Sequence, residues 1–189
     1  MSTATADATK TFGERKMSTA TAITNTKALL SNAPLGEISV ANDAMQIVFH
    51  RHLRAPIEKA WAALTTPERL ADWFVNATVD LRAGGTIRAK WADFKITVCD
   101  PPRSLAWAWE LGGRDTLVRF DLVPEAGGCE LTLTHSGLDP RGGPGAGVRA
   151  GWHAHLEALP DAIEGRATPW EVKEAREEAL RDAYPKLPA

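Results

Sequence analysis

Between Ile87 and Thr134 large apolar side chains fall on every second residue in five successive runs, and this limits the folds open to the chain more than any other feature. Ile87, Ala89 and Trp91 alternate with Arg88 and Lys90, and Phe94, Ile96 and Val98 with Lys95 and Thr97. Leu105, Trp107 and Trp109 follow, then Val118, Phe120 and Leu122 around Arg119 and Asp121, then Leu131 and Leu133 between Glu130, Thr132 and Thr134. A period of two puts the apolar members on one face of a strand. Turn residues close each run: the Gly84–Gly85 pair, the Asp100–Arg103 DPPR, Gly112–Gly113, and Pro124–Gly128. With the strand into which the chain turns after Asn76, the spacing predicts an antiparallel meander of six strands, apolar on one face and polar on the other.

An earlier strand is predicted over Ala44–Arg54, where Met45, Ile47, Phe49 and Leu53 point one way. His50 and His52 share its other side at strand spacing and could grip a metal; a solvated face is the plainer reading, and no metal site is assigned. Pro56 then opens a helix with Ile57, Ala60, Trp61 and Leu64 on its buried side. Thr66 and Pro67 read as the cap and first position of a second, short helix carrying Leu70, Trp73 and Phe74. After the meander, Gly147–Gly165 reads as an amphipathic helix. Val148, Trp152, His155, Leu156, Leu159 and Ile163 share one face, and His153, Glu157, Asp161 and Glu164 the other. Pro160 should remove one hydrogen bond from it and kink it. His155 is the odd member, because an imidazole in an apolar stripe needs a hydrogen-bond partner or a cavity.

The tails are polar. Residues 1–40, in which MSTATA occurs at Met1 and again at Met17, read as a disordered segment with an appended or alternative start. Residues 41–166 make one domain. Residues 167–189 form a polar helix and tail, a surface appendage or partner contact with Trp170, Val172, Ala175, Leu180 and Tyr184 as its apolar members. The loop LDPRGGPGAG before the amphipathic helix lacks the spacing of a phosphate cradle and reads as a hinge or cavity rim.

Charge excludes some functions. Twenty-two basic against 24 acidic residues leave a net charge of −2, which offers nothing to nucleic acid or an anionic membrane. The two cysteines, Cys99 and Cys129, lack metal-ligand spacing and suit a reducing compartment. No apolar run approaches the ~20 residues of a membrane span, and a cytoplasmic location is expected. Seven tryptophans against one tyrosine fill a core or line a pocket.

The segments APIEKAWAALTTPERLADWF (Ala55–Phe74), LTLTHSGL (Leu131–Leu138) and the Gly151–Trp152 pair with the leucines through Leu159 resemble the START-like, or SRPBCC, superfamily. Within it, they resemble the subgroup related to the activator of heat-shock-protein-90 ATPase. The resemblance implies an α+β helix-grip fold, in which a curved antiparallel sheet wraps around a long C-terminal helix. A cavity between sheet and helix would then be lined by Trp91, Phe94, Trp107, Trp109, Phe120, Leu133 and Trp152, with His135 and His155 as polar anchors. The implied function is binding of a small hydrophobic molecule without a cofactor. The alternatives are a cofactor-free cyclase or aromatase with His155 as general acid/base, and a co-chaperone whose outer sheet face or C-terminal helix meets a protein partner. No nucleophile elbow or catalytic triad can be grouped from the sequence.

Overall fold

A computed structural model describes residues 33–142 and 147–184. The duplicated MSTATA segment and the centre of the Gly/Pro loop lie outside them. The strands are β1 (Glu37–Ala41), β2 (Ala44–Leu53), β3 (Ala77–Val79), β4 (Thr86–Ala89), β5 (Asp93–Asp100), β6 (Ser104–Leu111), β7 (Arg114–Glu125) and β8 (Gly128–Leu138). The helices are α1 (Ile57–Thr65), α2 (Pro67–Trp73), α3 (Val148–Ile163) and α4 (Trp170–Ala183). One antiparallel sheet takes the order β1-β2-β8-β7-β6-β5-β4-β3. The six-strand meander runs from β3 to β8, and β2 closes onto β8.

β1 corrects the N-terminal boundary, because residues 37–40 belong to the sheet. β1 pairs with β2 through a two-residue turn in which Asn42 and Asp43 have φ of 52° and 59°. These are the residue types that tolerate the left-handed region such a hairpin needs.

Most of the apolar face of the sheet is packed and buried. Phe94, Ile96, Trp107, Val118, Phe120, Leu131 and Leu133 are fully buried, and α3 packs its Trp152, Leu156 and Leu159 into the same core. Trp73, also fully buried, donates its indole N–H to the Ala63 carbonyl at 2.9 Å and so ties α2 to α1. Thr66 occupies the cap position of α2, yet its hydroxyl turns back to the Ala62 carbonyl of α1 at 2.9 Å instead of capping α2. α3 runs on through Pro160 to Ile163.

The C-terminal helix departs from expectation. Trp170 and Val172 are exposed, and α4 packs on α3 through Lys173, Arg176 and Leu180, with Tyr184 following. The Arg176 guanidinium bonds both Glu157 carboxylate oxygens, Nη2 at 2.8 Å from Oε1. His153, expected in water, is buried instead. Its Nδ1 shares a hydrogen bond with the Tyr184 hydroxyl at 2.8 Å, and that hydroxyl takes the Gly36 N–H at 3.1 Å. Both faces of α3 are therefore covered, one by apolar and one by polar packing. Among the described residues no helix is long and apolar enough to cross a membrane.

Candidate functional site

A cavity of about 480 Å³ opens where the N-terminal half of α3, the chain leaving α2, the far end of β6 and α4 meet. Trp109 and Leu111 come from β6, and Val148, Gly151, Trp152 and His155 from α3. Phe74, Val75 and Asn76 follow α2, and Trp170, Glu177 and Arg181 come from α4. Trp91, just beyond β4, completes the wall; it is 61% exposed and meets Phe94 edge-on at 5.5 Å.

The predicted lining residues divide into two groups. Trp91, Trp109, Trp152 and His155 meet at the cavity. Phe94, Trp107, Phe120, Leu133 and His135 are fully buried behind it and do not line it, because the sheet packs tightly on α3 there. Sequence parity identified the correct sheet face. It carried no information on where along that face the packing opens, nor on the three residues that α4 contributes.

His135 belongs to a closed network. Its Nδ1 accepts the Trp152 indole N–H at 3.0 Å, so its proton sits on Nε2, which donates to Thr116 Oγ1 at 2.9 Å. The Thr116 hydroxyl passes its own proton to the Trp109 carbonyl at 2.6 Å. Every polar atom of that ring is used, and burial lowers its pKa from 6.5 to about 4.

His155 is arranged differently. Its Nδ1 lies 2.8 Å from the Trp73 carbonyl, the last of α2, and a carbonyl only accepts, so Nδ1 carries the proton. The orphan carbonyl of a helix end is thereby satisfied, and Lys173 Nζ from α4 shares it at 3.1 Å. Burial lowers the His155 pKa to about 4; the bond to Trp73 raises it but is outweighed, and the Lys173 charge lowers it further. The imidazole is thus neutral near pH 7, and Nε2, the nitrogen left without the proton, is a lone-pair acceptor on a residue that lines the cavity. Phe74, Trp152 and Trp170 surround it, their ring centroids 5.4, 6.3 and 6.4 Å away.

At the rim Arg181 Nη2 donates to Glu177 Oε1 at 2.6 Å, an ion pair that raises the Arg181 pKa. The described lining holds no Ser, Thr, Cys or Lys to act as a nucleophile, and no carboxylate bonds His155. The chemistry available is apolar contact, aromatic stacking, the oriented His155 acceptor and the polar side chains of Asn76, Glu177 and Arg181. One group of metal-type donors comes together among the described residues. It is His52, Glu125 and Glu130 on the outer sheet face, and it shares no residue with the cavity.

Comparison with known proteins places this architecture. The CalU16 crystal structure from Micromonospora echinospora is 29% identical with a TM-score of 0.60, over 76% of this chain and 94% of that one. The solution structure of the protein encoded by BPP1335 from Bordetella parapertussis is 27% identical with a TM-score of 0.58, over 80% and 93%. DynU16, a protein in the dynemicin biosynthetic locus, is 25% identical with a TM-score of 0.56, over 66% of this chain and 48% of that one. No curated protein matches the chain. The sequence model of the activator of Hsp90 ATPase homolog 1-like proteins matches residues 54–164, from the end of β2 through α3. The chain therefore belongs to the activator of Hsp90 ATPase homolog 1-like family, on the START-like, or SRPBCC, fold.

Proposed function

We propose that the protein binds a small, largely apolar and aromatic molecule that donates a hydrogen bond, held between α3, β6 and α4. The observation that carries this reading is His155: a neutral imidazole, its tautomer set by the Trp73 carbonyl, presenting Nε2 among aromatic rings. The cavity volume of about 480 Å³ falls within the roughly 300–1,000 Å³ usual for small-molecule sites. A similar protein, DynU16, belongs to a biosynthetic locus, which suits a small organic ligand.

Binding is favoured over cyclase or aromatase chemistry by the same residue. A base with a pKa of about 4 is weak near neutrality, and His155 is oriented by a backbone oxygen rather than a carboxylate. The co-chaperone alternative rests on the family relationship alone.

Titration with a naphthol and with its methyl ether, followed by tryptophan fluorescence, tests the reading, because Trp91, Trp109, Trp152 and Trp170 all line the cavity. We expect saturable quenching by both. The naphthol should bind more tightly by about 1 kcal/mol, the net worth of one hydrogen bond, and His155→Leu should abolish the difference. Equal binding of the two compounds, or no quenching, would overturn the reading. Turnover of a polyketide substrate that is lost in His155→Leu would favour the cyclase instead.

A further inference from the structure

On the solvent face of the sheet, at the opposite end of α3 from the cavity, three neighbouring strands bring two imidazoles and two carboxylates together. His50 and His52 sit at i and i+2 on β2, the spacing that sends both side chains to one face. Glu130 on β8 is the register partner of His52, and Glu125 ends β7 beside it. His52 Nδ1 is 3.5 Å from Glu125 Oε2, and His50 Nδ1 is 3.9 Å from Glu130 Oε1. One donor atom from each of His52, Glu125 and Glu130 fits within 4.8 Å of the others.

Zinc ligated at about 2.0–2.1 Å in a tetrahedron holds its ligand atoms roughly 3.3–3.5 Å apart. The His52–Glu125 pair already has that separation. The other pairs of the His52–Glu125–Glu130 group lie within 4.8 Å, a gap that side-chain rotation can close since the four side chains are 28–54% exposed. His50 Nδ1, 3.2 Å from Thr132 Oγ1, would have to turn from that hydroxyl to join them. Their stems are fixed by paired strands, so little backbone order remains to be lost on binding. The mixed nitrogen and oxygen donor set suits zinc, whereas calcium and magnesium take oxygen. The remaining histidines are committed elsewhere: His135 and His153 are buried, and His155 bonds Trp73.

We propose that His52, Glu125 and Glu130, with His50 as the fourth ligand, form a zinc site that clips β2, β8 and β7 together. The His-x-His pair alone is a poor argument for a metal; the two carboxylates supplied by the neighbouring strands change the balance. The site stands apart from the cavity and is independent of the proposed function.

The test is a competition titration of the untagged full chain with zinc chloride against a chromogenic chelator, paired with thermal unfolding. One zinc per chain is expected, together with a zinc-dependent rise in the melting midpoint. His52→Ala and Glu130→Gln should each weaken binding by roughly tenfold or more, and the His50→Ala/His52→Ala double variant should bind none at this stoichiometry. Absence of stoichiometric binding in the parent, or an unchanged affinity in the double variant, overturns the proposal. Circular dichroism of the variants separates loss of the ion from loss of the fold.

Discussion

His135 and His155 are both held neutral by burial, and this fixes how stability depends on pH. Each has a folded pKa of about 4 against an ordinary value of 6.5. Below pH 6.5 the unfolded chain therefore binds protons that the folded chain refuses, so stability rises with pH across this window. The contribution is complete above about pH 6.5, falls as the pH drops toward 4, and levels off below. For His135, fully buried and closed within its network, it is on the order of 3 kcal/mol. Urea unfolding at pH 7 and pH 4.5 should show this loss, and His135→Gln should shrink it; a pH-independent midpoint would contradict the assignment. The two histidines illustrate what a sequence can reveal about a residue. His155 in an apolar stripe signals a buried imidazole. That its partner is a backbone oxygen at the end of another helix is invisible, because every residue type supplies one.

The elements divide in the same way. The meander was legible because hydrophobic alternation and turn residues coincide at each strand. The β1–β2 hairpin is not legible in the sequence, although Asn42–Asp43 carry the turn chemistry, because β1 presents only Ile38 to the core side while Glu37 and Ser39–Ala41 stay exposed. α4 misled for a different reason. Its buried positions, Lys173, Arg176, Leu180 and Tyr184, do keep helical spacing, but two are cations whose long stems pack while their heads find partners. A sequence shows such charges without showing the opposite charge that receives them. Arg176→Met should consequently destabilise the fold by about 3 kcal/mol, since it takes away the guanidinium that bonds both oxygens of the largely buried Glu157 carboxylate. Adding Glu157→Leu should recover part of that loss in thermal unfolding. A single variant as stable as the parent would mean that the ion pair contributes nothing to docking α4.

At the scale of the molecule, the cavity wall joins the matched family region, residues 54–164, to a helix beyond it. Trp170, Glu177 and Arg181 line the cavity while Lys173 holds the same carbonyl as His155. A ligand that contacts both walls must then stabilise the docked position of α4 by its differential affinity for that state. Saturating naphthol should slow proteolytic cleavage within residues 170–183, and cleavage at an unchanged rate would show that the ligand ignores α4. Local periodicity carries the strands and the apolar stripe of α3 that form one wall of this cavity, whereas the helix-grip arrangement and an enclosed cavity are what the family resemblance implies. The other wall depends on how two polar helix faces meet, which no local pattern encodes.

The Trp73 carbonyl has a consequence for how such a site could be found by mutation. Its oxygen belongs to the main chain, so a substitution at position 73 removes the indole and its bond to Ala63 but cannot delete the carbonyl that anchors His155. What displaces it is a change of helical phase: deleting one residue from α2 would rotate its last carbonyl by about 100° and leave the imidazole free to choose the other tautomer. The specificity of the cavity would then be altered by a deletion in a helix that contributes no lining residue before Phe74, and length variants of α2 would move a main-chain group that substitutions cannot remove.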